Sequence, residues 1–297
     1  MPEATSPNIK SDPLHPAALL RRYGLRARKR LGQNFLVSLD LARRIVALAE
    51  LPPDSTVVEL GVGLGLLTSA LAERAQRVIG YEIDTNLLQV LKKEGLSPKV
   101  ELRRGDILSL DYRALAQELG GRLLLFGNLP YYLSSRLLYK LFEEREAVLW
   151  AVFMFQKEVA ARLLAQPGSK DYGPLCILLS LRGKIRKLLD LSPNHFYPRP
   201  EVYSSVVKIE FDPIPLPHEE RFKWLLKVAF ANRRKKLLRN LLSTGLEKGL
   251  IEAAFKATGL SLNTRAEEVT PPQFLELLLR LYAPGEVVAK RSLAGKI

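Results

Sequence analysis

Thr56-Val-Val-Glu-Leu-Gly-Val-Gly-Leu-Gly-Leu-Leu-Thr68 is the stretch whose reading decides the fold. Five residues of strand character, 56–60, run into glycines at alternate positions, Gly61, Gly63 and Gly65, and 66–75 then takes up helical spacing. Glycines at a strand-to-helix turn permit a tight reversal and a close approach of backbone to ligand. The spacing is G-x-G-x-G. A dinucleotide fingerprint needs a glycine where Leu66 stands, and a P-loop needs a G-K-[ST] that is missing here, so both pyrophosphate-binding readings are disfavoured.

Outward from this turn the period keeps switching. Strands are predicted over 77–81, 100–103, 122–126 and 148–155, with helices over 87–93, 112–119 and 134–142 between them. Such alternation predicts an α/β fold with a parallel sheet covered on both faces. Upstream, 39–51 has helical spacing with Ser38 as its N-cap. Downstream, the Pro-rich stretch 193–217 holds one strand-like run, 205–211, and marks a linker. Beyond it, helices are expected over 222–242 and 250–258, and a third from Thr270-Pro-Pro, where Thr270 caps and Pro271 fits the first turn. Two domains are therefore expected, an α/β domain over 1–212 with a basic N-terminal arm and a small helical domain over 213–297.

The 297 residues carry a formal charge of +14, and 47% of them are hydrophobic, enough to form a core and to exclude a disordered or collagen-like chain. The charge is uneven: +5 over 1–50, +2 over 51–212 and +7 over 213–297. Dense basic runs, Arg21, Arg22, Arg26, Arg28, Lys29 and Arg30, then Arg233, Arg234, Lys235, Lys236 and Arg239, flank a nearly neutral middle. Two such runs favour a polyanionic partner, because each neutralised phosphate releases counterions. One cysteine excludes a disulfide framework, and His15, His195 and His218 are too scattered to form a metal cluster with it. The longest apolar run, 147–155, has nine residues, well short of the roughly 20 that span a bilayer. The polar N-terminus lacks a secretory pattern, so a cytoplasmic protein without membrane or metal is expected, with a loose tail over 291–297.

Polar groups recur at successive strand ends. Glu82 follows the second strand about twenty residues after the turn, where a carboxylate can accept both hydroxyls of a ribose. Asp106 follows the third strand and Asn128 the fourth. Turn, two carboxylates and an amide at one sheet edge suit an adenosyl cofactor without phosphates. In Asn128-Leu-Pro-Tyr131, the proline fixes the backbone so that the Leu129 carbonyl can project beside the Asn128 side-chain oxygen. Two adjacent acceptors suit an exocyclic NH2, and Tyr131 can stack on the ring that bears it.

These residues resemble the small-subunit ribosomal RNA adenine dimethyltransferase family of the KsgA/RsmA type, to which the Erm methyltransferases are related. The resemblance runs from Arg28 to near Leu281. It rests on Arg28-Lys-Arg-Leu-Gly-Gln-Asn-Phe-Leu36, on 58–68, Glu82, Gly105-Asp-Ile-Leu108 and Asn128-Leu-Pro-Tyr131, and further on 155–163, Phe196-Tyr-Pro-Arg-Pro-Glu-Val202, 204–207 and 230–237. Val62 stands where the family usually has proline, and Tyr203 where Asp is common.

The resemblance implies a Rossmann-like S-adenosylmethionine-dependent methyltransferase. The cofactor is expected on Asn34, Leu36, Gly61, Glu82, Ile83, Asp106, Ile107 and Asn128. Catalysis is expected from Asn128, Tyr131 and Phe196, the two aromatics meeting a flipped target base. RNA is expected on Arg28, Lys29, Arg30, Arg233, Arg234, Lys235 and Lys236. The implied reaction dimethylates the 6-amino groups of two adjacent adenosines in the 3′-terminal hairpin loop of 16S rRNA, within an immature 30S ribosomal subunit, by a monomer serving ribosome biogenesis. The alternatives are an Erm-like enzyme acting on 23S rRNA, which Leu129 and the basic segment 233–239 fit less well, and a non-catalytic RNA-binding assembly factor, against which intact Glu82, Asp106, Asn128 and Tyr131 argue.

Overall fold

The computed structural model describes residues 15–282. The expectations for the polar N-terminus and for the tail over 291–297 fall outside them. In chain order the elements are α1 (Pro16–Arg22), β1 (Phe35–Leu36), α2 (Leu39–Leu48), β2 (Thr56–Leu60), α3 (Leu66–Arg74), β3 (Arg77–Glu82), α4 (Thr85–Glu94), β4 (Val100–Arg104), α5 (Tyr112–Glu118), β5 (Leu123–Asn128), α6 (Ser134–Glu143), β6 (Val148–Gln156), α7 (Lys157–Leu163), α8 (Pro174–Leu181), β7 (Gly183–Leu191), β8 (Phe196–Tyr197), β9 (Ser204–Phe211), α9 (Glu219–Ala229), α10 (Leu237–Leu242), α11 (Lys248–Ala257) and α12 (Pro271–Leu281). They fall into two compact units. The first comprises the chain up to 164 together with 183–213, and the second 165–182 together with the chain from 214 on.

The first unit is built on a seven-stranded sheet of order β4-β3-β2-β5-β6-β9-β7. β4, β3, β2, β5 and β6 are parallel, as the alternation predicts, whereas β9 runs antiparallel to both β6 and β7. The reversal has a local cause: the link over 192–203 contains no α-helix, and a parallel return needs a crossover connection. β2 and β5 lie at the centre, and Val57, Val58, Leu60, Leu125 and Phe126 are fully buried. On one face, Ala42, Ile45 and Val46 of α2 and Leu67, Ala70 and Leu71 of α3 pack with Val57, Val78, Phe126, Val152 and Met154. Truncating one such leucine to alanine costs about 2–5 kcal/mol, so this layer holds the strand ends in place. A smaller cluster joins Leu19 and Leu20 of α1 to Phe35, Leu64, Leu87 and Val90, which fixes the N-terminal arm to the sheet domain.

The second unit is helical. A single division at 212/213 is the expectation from sequence; the second unit also takes 165–182, because the apolar run of α8 packs against α9 and α12. Tyr172 donates its hydroxyl to the Val269 carbonyl at 2.9 Å. The helix expected over 222–242 is two helices. Asn240, buried on α10, donates Nδ2 to the carbonyls of Ala229 (2.7 Å) and Asn232 (3.2 Å) and so captures the end of α9. The Leu237 amide donates to Thr264 at 2.9 Å, which draws the chain away from the helix axis. Arg233, Arg234, Lys235 and Lys236 consequently lie in an exposed turn rather than on a helix.

Candidate active site

A cavity of about 320 Å³ lies at the carboxyl ends of β2, β3, β4 and β5, where open α/β sheets bind ligands. Its floor is the glycine turn. Gly61, Gly63 and Gly65 have φ of +80°, +60° and +83°, a region that side chains rarely enter, and a Cβ on Gly65 would meet Leu91 at 2.8 Å. Gly63 donates its amide to Oε2 of Glu82 at 2.9 Å, which locks the turn to the end of β3.

Glu82 is 6% exposed and accepts two further backbone amides on Oε1, from Ile83 (2.9 Å) and Asp84 (2.8 Å). Burial raises its carboxyl above the ordinary range, while these backbone bonds hold it back. Ile83 is half-exposed beside it, an apolar side chain left at the cavity. Asp106 accepts the Leu108 amide on Oδ1 at 2.9 Å, shaping the loop after β4, and Tyr112 steadies that loop by donating its hydroxyl to the Ile107 carbonyl at 2.8 Å.

The fourth wall comes from the arm. Asn128 donates Nδ2 to the Asn34 carbonyl at 2.6 Å, and Asn34 donates its own Nδ2 to the Gly32 carbonyl at 3.2 Å. Gly32 passes so near Asn128-Leu-Pro-Tyr131 that a Cβ there would stand 3.0 Å from Pro130 Cβ. Gln33 accepts the Arg28 amide at 2.8 Å and donates Nε2 to Oδ2 of Asp84 at 3.0 Å, while Arg28 pairs with Oδ1 of Asp84 at 3.2 Å. Beyond the arm, β1 pairs antiparallel with β8, Phe35 opposite Tyr197 and Leu36 opposite Phe196.

All eight residues expected at the cofactor, Asn34, Leu36, Gly61, Glu82, Ile83, Asp106, Ile107 and Asn128, line this one cavity. Val62 lines it too, whereas Tyr203 is exposed on a loop. Of the three residues expected to act on the base, only Asn128 is among the lining residues. Tyr131 is half-buried, with its hydroxyl 3.1 Å from the Ser204 hydroxyl. Phe196 is 4% exposed and packed in the main core, so its ring is covered where an open face was expected. Tyr132, 58% exposed, and Arg136 take the lining positions instead.

Sequence reasoning also missed Glu59, buried in the same lining, with Oε2 lacking any hydrogen-bond partner. Burial pushes its carboxyl up to about 8. The signal was present: a lone glutamate in an otherwise apolar central strand. Among the expected RNA contacts, Lys29, Arg30, Arg234 and Lys235 are exposed, whereas Arg28 is committed to Asp84, Arg233 to the Tyr172 carbonyl and Glu267, and Lys236 to Asn263.

A Rossmann-like sheet that gathers a glycine turn, a buried carboxylate, a second acidic loop and an amide at its strand ends is the frame of an S-adenosylmethionine-dependent methyltransferase. Residues 24–282 match the ribosomal RNA adenine dimethylase family, and the chain belongs to that family. It is therefore an enzyme that methylates adenine in ribosomal RNA. Two relatives are each named ribosomal RNA small subunit methyltransferase A. The one from Syntrophus aciditrophicus is 41% identical over 268 residues, covering 87% of this chain and 95% of the relative; the one from Magnetococcus marinus is 42% identical over 265, covering 86% and 95%. Among solved structures, a dimethyladenosine transferase from Plasmodium falciparum superposes with a TM-score of 0.68 at 26% identity, covering 82% of this chain and 96% of that one. The 23S rRNA methyltransferase ErmE superposes with a TM-score of 0.64 at 26% identity, covering 84% and 99%.

Proposed function

We propose that this chain dimethylates the 6-amino groups of two adjacent adenosines in the 3′-terminal hairpin loop of 16S rRNA, within an immature 30S subunit in the cytoplasm, acting as a monomer. The observation that carries the chemistry is the orientation of Asn128. Its Nδ2 is spent on the Asn34 carbonyl, so Oδ1 is the end left to accept a hydrogen from a substrate amine. The choice of the small subunit rests on the relatives named for it.

The lining suits S-adenosylmethionine. Glu82 would take the ribose hydroxyls, with Ile83 and Ile107 against the adenine, and Asn34, Leu36, Gly61 and Asp106 completing the pocket. Glu59 Oε2 is buried with no hydrogen-bond partner among the described residues, and a ligand rich in hydroxyl and ammonium donors would satisfy it. The cofactor brings a methyl on a sulfonium, a good leaving group, so the protein need form no covalent bond. Cys176, buried on α8 with its thiol pushed up by burial, has the opposite of a nucleophile's activation.

Asn128 Oδ1 would accept one amine hydrogen, with the Leu129 carbonyl assigned to the other, and so orient the nitrogen lone pair for methyl transfer. The same two acceptors would stabilise the positive charge gathering on nitrogen as it takes the methyl and the carbon–sulfur electron pair stays with sulfur as a neutral thioether, and the proton would then leave to water. Tyr131 is assigned to stack on the extruded base. Phe196, being covered, is reassigned to holding β8 against β1, which keeps Asn34 and Leu36 in place.

The test is radiolabelled methyl transfer to purified, unmethylated 30S subunits, 50S subunits and naked RNAs. Label on two neighbouring 16S adenosines is the expected result. Label in 50S alone would move the chain to the Erm-like reading, and RNA binding without label anywhere would make it an assembly factor.

A further inference from the structure

The first unit carries a second concavity, of about 620 Å³, formed by α1, the segment 24–27 and the loop after β8. Its lining includes Arg21, Arg26, Gly24 and Tyr197 and contains no acidic residue. Nothing in the methyl-transfer chemistry uses it.

The N-terminal arm that forms this cleft is anchored, not trailing. Leu19 and Leu20 are buried in the smaller core, Arg22 pairs with Glu94 at 2.8 Å, Tyr23 donates its hydroxyl to Glu94 at 2.6 Å, and Arg28 is held by Asp84. Two cations of the first basic run are thus neutralised in fixing the arm. Arg21 and Arg26 are exposed, and no carboxylate pairs with either among the described residues. Two unpaired guanidiniums in one concavity suit a phosphate, which the planar fork binds through paired hydrogen bonds.

The third component is aromatic. Tyr197 is 38% exposed, and the His15 ring meets it edge-on at 5.9 Å. Tyr197 lies opposite Phe35 in the β1–β8 ladder, and Phe35 lines the methyl-transfer cavity. Cleft and cavity therefore each draw a lining residue from the same cross-strand pair of one two-stranded ribbon. A free phosphate would leave the tyrosine unused; a nucleotide uses both features.

We propose that this cleft holds a nucleotide of the substrate RNA that flanks the adenosine being methylated, its phosphate on Arg21 and Arg26 and its base against Tyr197. The assignment rests on the reading of the substrate as RNA. It makes the arm a reader of strand position and not merely a diffuse positive field.

The experiment uses the full chain with unmethylated 30S subunits. In Arg21→Ala/Arg26→Ala, the KM for 30S should rise about tenfold or more and the salt slope of RNA binding should fall by about one, for the single phosphate contact that is lost. Tyr197→Ala should raise KM about tenfold, and Tyr197→Phe, which keeps the ring, should restore it. S-adenosylmethionine affinity by calorimetry and the melting temperature should stay at wild-type values in all three. Unchanged KM and salt slope would overturn the proposal, as would a parallel fall in cofactor affinity, which marks a merely structural arm. AMP binding at Arg21 and Arg26 without any effect on RNA would overturn it in favour of a free-nucleotide site. Should wild-type protein leave 30S unmethylated, the functional reading fails separately. A short oligonucleotide carrying 4-thiouridine then decides the cleft: a photocrosslink to Tyr197 supports it, and no crosslink in this segment rejects it.

Discussion

The Asn128 amide nitrogen donates to the Asn34 carbonyl at 2.6 Å, and this contact sets which end of the amide is free. A carbonyl oxygen only accepts, so the NH2 must face it and Oδ1 must face away. An acceptor from the strand β5 is thereby aimed by a residue of the N-terminal arm.

Asn128→Ala should lower kcat by about 10²–10³-fold while leaving RNA affinity near wild type, the loss expected when one positioned polar group is removed from the transition state. Asn128→Asp should do no better, because its carboxylate would be repelled by the Asn34 carbonyl. Single-turnover methyl transfer beside filter binding of RNA checks both, and retained turnover in either variant would remove Asn128 from the chemistry.

Arg28 was expected on RNA, yet it pairs with Asp84, whose side chain is 3% exposed and whose amide donates to Glu82. Arg28→Ala should therefore weaken cofactor binding several-fold and cost about 1–2 kcal/mol of stability, less than a fully buried pair because Arg28 is partly exposed. Arg30→Ala, at an exposed position of the same turn, should instead weaken RNA binding and flatten its salt dependence. Calorimetry with S-adenosylmethionine distinguishes the two.

Glu59 sets a pH dependence. Its folded pKa of about 8 lies above the unfolded value of about 4.3, so between these the folded chain holds a proton that the unfolded chain has lost. Stability of the cofactor-free protein should fall as pH rises through that window and level off above it. Glu59→Gln should remove this slope, so that the variant gains on wild type by a few kcal/mol toward pH ~9. Urea melts across the range read it directly, and parallel curves would show that Glu59 titrates normally.

The second basic run should divide by partner. Arg233 donates to the Tyr172 carbonyl and pairs with Glu267, and Lys236 donates to Asn263, so charge reversal at these two should also loosen the helical unit. Arg234→Glu/Lys235→Glu should weaken RNA binding in a salt-dependent way, with melting temperature and cofactor affinity unchanged. Equal loss of cofactor affinity would mean that this turn does more than hold RNA.

The sheet from β2 to β6 was legible because most of its strands are short apolar runs and each intervening helix keeps its own period, and Ser38 and Thr270 cap where their side chains predict. That one cavity would gather Glu82, Asp106 and Asn128 was legible for the same reason, since strand ends put them on one edge. β7 was not, because Gly-Lys-Ile-Arg-Lys-Leu-Leu-Asp-Leu is an edge strand with a solvated face and carries too much charge to look like one. The break after Ala229 depends on Asn240 reaching back from the next helix, a tertiary event that local spacing does not contain. The covering of Phe196 was illegible for a similar reason: it follows from the pairing of β1 with β8, two segments far apart in the chain. Glu59 was readable and passed over.

That pairing also sets an order of events during synthesis. The arm carrying Asn34 and Leu36 emerges first, but the strand it pairs with, Phe196–Tyr197, emerges only after β6 and β7. Contacts of such long sequence separation form late because the intervening loop must be closed first. A nascent chain can therefore assemble its parallel strands while the cavity at their carboxyl ends still lacks a wall. The enzyme gains its competence only when about two thirds of the chain has left the ribosome that makes it.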